Sequence, residues 1–239
     1  MSPSSNSVES IPAPKPVTLG IHGHAQRFPV RRIYCVGRNY AAHAREMGAD
    51  PEREQPFFFM KPADTIRHNG ATIAYPPRTA DLQHEVELVV ALAAGGCNLA
   101  VDTAVRHIFG YAVGIDLTRR DLQNAAKKAG HPWETGKSFD GSAPISDVRL
   151  ASEVPLPDSN GIRLSVNGVL RQDGSTRDLI WSIPEIIAEL STLFELHPGD
   201  LIFTGTPSGV GVLRAGDQIS AAIDGIATLH VTIAAAGKQ

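Results

Sequence analysis

The apolar stretches of this chain are short, and glycine or proline closes most of them. Residues 200–204, 218–223 and 227–233 are divided by Gly205, Gly216 and Gly225. Short segments rich in β-branched and aromatic residues and bounded by turn formers predict strands. Residues 32–36 (RIYCV), 56–60 (PFFFM), 84–92 (HEVELVVAL), 111–116 (YAVGID) and 162–166 predict five more, and Asn167-Gly168 is a hairpin turn into 169–172. Helix signals are fewer. Residues 41–47 carry good helix formers before Gly48. Thr118 can cap a helix that runs to Gly130. Ser182-Ile183-Pro184-Glu185 has capping-box spacing, and the helix it opens puts Ile186, Ile187, Leu190, Leu193 and Phe194 on one face before His197-Pro198-Gly199 ends it. This pattern predicts a β-rich α+β domain and excludes a doubly wound parallel sheet. The expected division is a loose Ser/Pro-rich arm over 1–29 and one folded domain over 30–239.

Composition narrows the function classes. The formal net charge is -3 with no Lys/Arg block, so nucleic acid is not an expected partner. The two cysteines, Cys35 and Cys97, cannot make a disulfide framework, which fits a reducing, cytoplasmic setting. No apolar run approaches the roughly 18 residues of a membrane span, and no signal peptide is expected at the N-terminus.

Three apparent motifs fail on spacing or context. Gly136-Lys137-Ser138 lacks the phosphate-loop glycine, because that position is His131. His84-Glu85 would need a second histidine at Leu88 to begin a zinc-protease helix. Gly205, Gly209 and Gly211 miss the dinucleotide spacing and read as a tight, close-approach turn.

Two acid motifs survive. Residues two apart on a strand share a face, so Glu85 and Glu87 point the same way, in a row continued by Val89 and Ala91. An isolated pair of this kind is ordinarily solvated. Here the row continues apolar, and Asp116 ends another apolar strand. Carboxylates brought together at strand ends repel unless a cation joins them, and all-oxygen donors suit a hard cation. His43 and Glu46 are three apart in a helix-like stretch and can face the same way. A carboxylate that orients an imidazole makes a water-activating base, although exposed pairs at this spacing are also common. The polar loop after Gly48 suggests a lid.

Taken together, GRNYAAHAREM (37–47), PFFFMKP (56–62), DLQHEVELVVAL (81–92), GYAVGIDLTRRDLQ (110–123), KSFDGSAP (137–144) and GDLIFTGTPSGVG (199–211) resemble the fumarylacetoacetate hydrolase family. The likeness covers about residues 30–235, in the right order. It implies a mixed β-sandwich roll, a homodimer and one catalytic domain over 30–239. It implies Mg²⁺, with Mn²⁺ or Ca²⁺ as alternatives, on Glu85, Glu87 and Asp116. It implies catalytic roles for His43, Glu46 and Lys137, and substrate contacts at Arg38, Arg120, Gln123 and Thr206. The implied reaction is hydrolysis of a carbon–carbon bond in a small acylpyruvate, fumarylpyruvate giving fumarate and pyruvate. Oxaloacetate decarboxylation or tautomerisation on the same site is the alternative, and a non-catalytic metal-stabilised dimer a third.

Overall fold

Alternation along one strand decides where the core lies. Every residue of Val86–Leu92 is buried, Glu87 included. Leu88, Val90 and Leu92 face one apolar cluster, while Val89 and Ala91 face another. A strand covered on both sides must lie inside its sheet, and this one does. In the computed structural model, which describes residues 11–46 and 54–235, Val86–Leu92 pairs with Leu201–Phe203 on one side and Ile108–Ile115 on the other. The eight-stranded sheet extends outward through Ile33–Gly37 and Phe57–Lys61 at one end and through Ala143–Ile145 and Ile66–His68 at the other. It is mixed: Leu201–Phe203 runs parallel to Ile33–Gly37, and Ala143–Ile145 parallel to Ile66–His68.

A second, five-stranded sheet packs on the Leu88 face. It is built from Val169–Ser175, Gly161–Val166, Gln218–Ile223, Ala227–Ala234 and Thr72–Ala74. Its hairpin turns at Asn167 and Gly168, both with positive φ (52° and 77°), the geometry that matches strand twist. The helix Ile183–Leu193 adds Ile183, Ile186, Ile187 and Leu190 to the same cluster. Each such aliphatic side chain contributes about 1.5–3 kcal/mol on burial. The backbone N–H and hydroxyl of Ser182 both donate to Glu185, closing the expected capping box. The β-rich α+β reading holds.

Four expectations need correction. The helix stops at Leu193, which is 58% exposed, because Phe194 turns extended to stack its ring 5.3 Å from Tyr34. Residues 84–92 are not one strand: Leu82–His84 leaves for a three-stranded sheet with Thr118–Arg119 and Gly211–Leu213, and the break falls at Glu85. Thr118 is therefore a strand residue and no cap, and the helix Arg120–Ala129 starts after Arg119. The loose arm does not reach residue 29. Thr18–Ile21 and His24–Pro29 form a hairpin that buries Leu19 and Phe28 against the Val89 face. Its signal was weak because most of His24–Pro29 is polar and exposed.

Candidate metal centre and active site

The break at Glu85 and the end of Ile108–Ile115 coincide in space. Glu87 pairs across the ladder with Gly114, and the Asp116 N–H donates to the Glu85 carbonyl at 2.8 Å. A side chain at position 114 would collide with Phe203 and Val89, so glycine lets the glutamate strand close up. Glu85, Glu87 and Asp116 are buried, and each can offer an oxygen so that all three lie within 4.8 Å of one another. The three acids expected to meet at strand ends are thus brought together.

The cation that such a cluster needs is supplied in part by the chain itself. Lys137 donates to Glu85 Oε2 (2.7 Å), Asp116 Oδ2 (2.5 Å) and Thr118 Oγ1 (2.8 Å). Arg120 donates to Glu85 Oε1, to Gln83 Oε1 at 2.8 Å and to Gln123 Oε1 at 2.6 Å. Lys61 Nζ lies 2.8 Å from Asp116 Oδ1 and donates to the Lys137 carbonyl. Sequence reading missed Lys61. Its signal was a lysine closing the apolar run PFFFM, since a buried cation needs an anion beside it.

Electrostatics separate the acids. Burial alone would raise the Glu85 carboxyl, but Lys137 and Arg120 outweigh it and hold the group well below the usual carboxylate range. Burial, with Asp116 and Glu85 nearby, pushes the Glu87 carboxyl well above that range. Burial also opposes the charge on Lys137, yet Asp116 and Glu85 keep the ammonium above its ordinary value. A divalent cation fits this donor set. Asp116 Oδ1 is buried and, although Lys61 is close enough for an ion pair, the geometry gives it no hydrogen-bond donor. Three hard oxygens suit Mg²⁺ or Mn²⁺ over softer metals.

The turn after Phe203 closes the site. The Gly205 N–H donates to Glu87 Oε2 at 2.7 Å, and the Thr204 hydroxyl to the Leu88 carbonyl at 2.9 Å. Gly205 has φ +103°, and a Cβ there would meet the Asn39 Cβ at 2.8 Å. Gly205→Ala should therefore cost about 1–3 kcal/mol, lowering the urea midpoint and moving the donor off Glu87. An unchanged midpoint would show the turn is not strained. Asn39, a second missed residue, locks this turn by donating to the Thr204 and Trp181 carbonyls (2.8 and 3.0 Å) and accepting from the Trp181 N–H at 2.7 Å. Behind the turn, buried Gln172 accepts from the Val86 N–H and donates to Thr206 Oγ1 and the Pro207 carbonyl. The Thr206 hydroxyl donates to the Val86 carbonyl at 2.8 Å, so it is committed to the scaffold.

Arg38, His43, Glu85, Glu87, Asp116, Arg120, Gln123, Lys137 and Thr206 all line one cleft of about 440 Å³, counted out to open solvent. His43 is buried in its wall, on the helix Ala41–Glu46. Glu46 shares that helix three residues on, but its side chain lies outside the described residues, as do Met47, Gly48 and the start of the expected lid loop. Gly136 serves close packing: a Cβ would meet Gln123 at 2.9 Å. The triplet rejected as a phosphate loop thus sets Lys137 beside the helix that carries Arg120.

Residues 32–234 match the fumarylacetoacetate (FAA) hydrolase C-terminal family. The chain belongs to that family. Among solved members, the fumarylpyruvate hydrolase of Pseudomonas aeruginosa, in complex with Mn²⁺ and pyruvate, superposes with a TM-score of 0.93 at 52% identity, covering 95% of this chain and 99% of that one. A fumarylpyruvate hydrolase of Ralstonia sp is 44% identical over 184 residues, 77% of this chain and 95% of the relative. A mitochondrial oxaloacetate tautomerase of Rattus norvegicus is 41% identical over 203 residues, 85% and 91% of the two chains. Among the described residues, no helix of this family member is long and apolar enough to cross a membrane.

Proposed function

We propose that this protein hydrolyses the carbon–carbon bond of an acylpyruvate, with fumarylpyruvate as the favoured substrate and fumarate and pyruvate as products. The observation that carries the reading is the meeting of His43, the acid triad and Lys137 in one cleft. The Mn²⁺ and pyruvate of the Pseudomonas relative support both the metal and the pyruvoyl end of the substrate.

Glu85, Glu87 and Asp116 would hold the divalent cation, Mg²⁺ or Mn²⁺. When bound, such a cation would supply Lewis acidity to an α-keto acid and to the negative charge that develops on it. The chain's own groups do the rest. Arg120 and Gln123 bound the cleft beside the triad and orient the pyruvoyl carboxylate. His43 takes a proton from water as that water adds to the acyl carbonyl remote from the carboxylate. The tetrahedral carbon then expels the pyruvate enolate, forming the new carboxylic acid, and the enolate carbon takes up a proton. Lys137, buried and held cationic by Glu85 and Asp116, is a fixed charge beside the electron-rich leaving group and stabilises it more than the ground state. Glu46 is proposed to orient the His43 imidazole.

Oxaloacetate tautomerisation is the second reading, favoured by the tautomerase relatives. It needs enolate stabilisation and no attacking water. Assay of fumarylpyruvate, acetylpyruvate and oxaloacetate with Mg²⁺ or Mn²⁺ separates the two. Hydrolysis of fumarylpyruvate with the highest kcat/KM is expected. Turnover of oxaloacetate alone would replace the first reading with the second.

A further inference from the structure

The cleft has two electrostatically different ends. At the inner end each cation already meets a carboxylate of the chain: Lys137 meets Glu85 and Asp116, Lys61 meets Asp116, and Arg120 meets Glu85. Two more cations line the cleft, Arg38 and Lys127, and they are half-buried where Lys61, Arg120 and Lys137 are buried, which puts them on the solvent side. Among the described residues, neither has an ion pair or hydrogen bond to a carboxylate. Arg38 makes a ring contact among the described residues, 5.6 Å from the Phe57 centroid.

Local structure aims both at the cleft. Arg120, Gln123 and Lys127 fall on one face of the helix Arg120–Ala129, at i, i+3 and i+7. Lys127 thus sits two turns beyond Arg120, about 10 Å along the axis at 1.5 Å per residue. Helical side chains lean toward the N-terminus, and Lys127 lines the same cleft as Gln123 and Arg120. Arg38 has φ +56°, a left-handed conformation that costs an arginine of order 1–3 kcal/mol and persists only where surroundings impose it. Partial burial and the repulsion of Arg38 and Arg120 hold the Lys127 ammonium below its ordinary range, so the cationic groups are close enough to feel one another. Phe59 and Trp133 also line the cleft, with ring centroids 5.9 Å apart; Phe59 lies 5.2 Å from the Lys137 ammonium, and Trp133 is 5.2 Å from Phe57, the ring that Arg38 meets. A protein gains nothing in stability by facing unpaired cations across a cleft, and an incoming anion removes that cost.

We propose that Lys127 and Arg38 receive a second carboxylate, at the far end of the acyl group, and so select acylpyruvates whose tail is itself an acid. The inference rests on the acylpyruvate reading above and adds Lys127 as a specificity-determining residue. The pyruvoyl unit occupies the triad end, the planar unsaturated tail lies along Phe59 and Trp133, and its carboxylate meets the mouth cations.

The experiment compares kcat/KM for fumarylpyruvate with that for acetylpyruvate, whose tail is neutral, in the wild-type protein, Lys127→Met and Lys127→Arg with Mg²⁺ saturating. Lys127 is partly exposed near a helix end, and methionine keeps most of its apolar stem. In Lys127→Met the fumarylpyruvate-to-acetylpyruvate ratio should fall about 10–100-fold, the loss expected of one charge-assisted hydrogen bond. Lys127→Arg should recover most of the ratio. A ratio in Lys127→Met within twofold of wild type, or an equal fall for both substrates, overturns the tail subsite and leaves acylpyruvate hydrolysis standing. Wild-type protein that cleaves neither substrate removes both.

Discussion

Glu87→Gln is expected to abolish turnover and, with it, the thermal shift that Mg²⁺ or Mn²⁺ gives the wild-type protein. The substitution keeps the shape of the side chain, and its amide oxygen can still accept the Gly205 N–H that Glu87 accepts at 2.7 Å. Folding is therefore preserved and only the anionic oxygen is lost. An ion that binds the folded state stabilises it by about 2.7 kcal/mol at a hundredfold excess over Kd, several degrees in Tm for a chain of this size. Losing a group that merely supports metal ligands typically costs 10–100-fold in metal affinity, and losing a ligand should exceed about that. Calorimetric scans with and without metal, beside rate assays, decide the matter. A variant that keeps both the shift and full activity in excess chelator would remove Glu87 from the ligand set.

The second large effect is chemical. His43→Ala should lower kcat for acylpyruvate hydrolysis by on the order of 10²–10⁴, the usual loss for a general base. Metal affinity should stay close to that of the wild type, because His43 sits on the helix Ala41–Glu46 while the acids sit at the ends of core strands. Glu46→Gln should cost less than His43→Ala if Glu46 orients the ring. Any oxaloacetate turnover should survive His43→Ala better than hydrolysis does, since it requires no activated water. Rates for both reactions, with metal titrations in parallel, test the assignment. Hydrolysis within about threefold of wild type would mean that the base lies elsewhere, far below the loss such a group carries. A collapse of metal affinity would make His43 a ligand.

Part of this site was legible because period-2 alternation is a strong local rule. Alternation put Glu85 and Glu87 on one face and Asp116 after a second apolar strand, while the full ligand set and the roles of His43, Lys137 and Arg120 were legible only through the family resemblance. The same reasoning could not see the break at Glu85. Backbone pairing partners decide it, with His84 paired to Gly211 and Val86 to Ile115, and those contacts are remote in sequence. Lys61 escaped for a related reason: an apolar strand that ends in lysine reads as snorkelling until the partner, Asp116, arrives from 55 residues further on. The N-terminal hairpin was missed because Leu19, Ile21 and Phe28 are its only buried apolar residues, too few to register as a pattern. Gly136 was visible but misleading until packing against Gln123 gave it a purpose.

Lys61, Lys137 and Arg120 all pair with Glu85 or Asp116, and among the described residues none pairs with Glu87. The chain thus encodes counter-ions for two of the three proposed metal ligands, and Glu87, its carboxyl pKa raised by burial, is left for the ion. A buried acid cluster without them would hold the core open until an ion arrived, tying folding to metal supply. Here the strands can close first and load afterwards. The cost of that independence falls on affinity, because an arriving ion must displace or crowd ammonium groups that are already in place. A site whose acids are already partly neutralised needs no ion to hold its strands together.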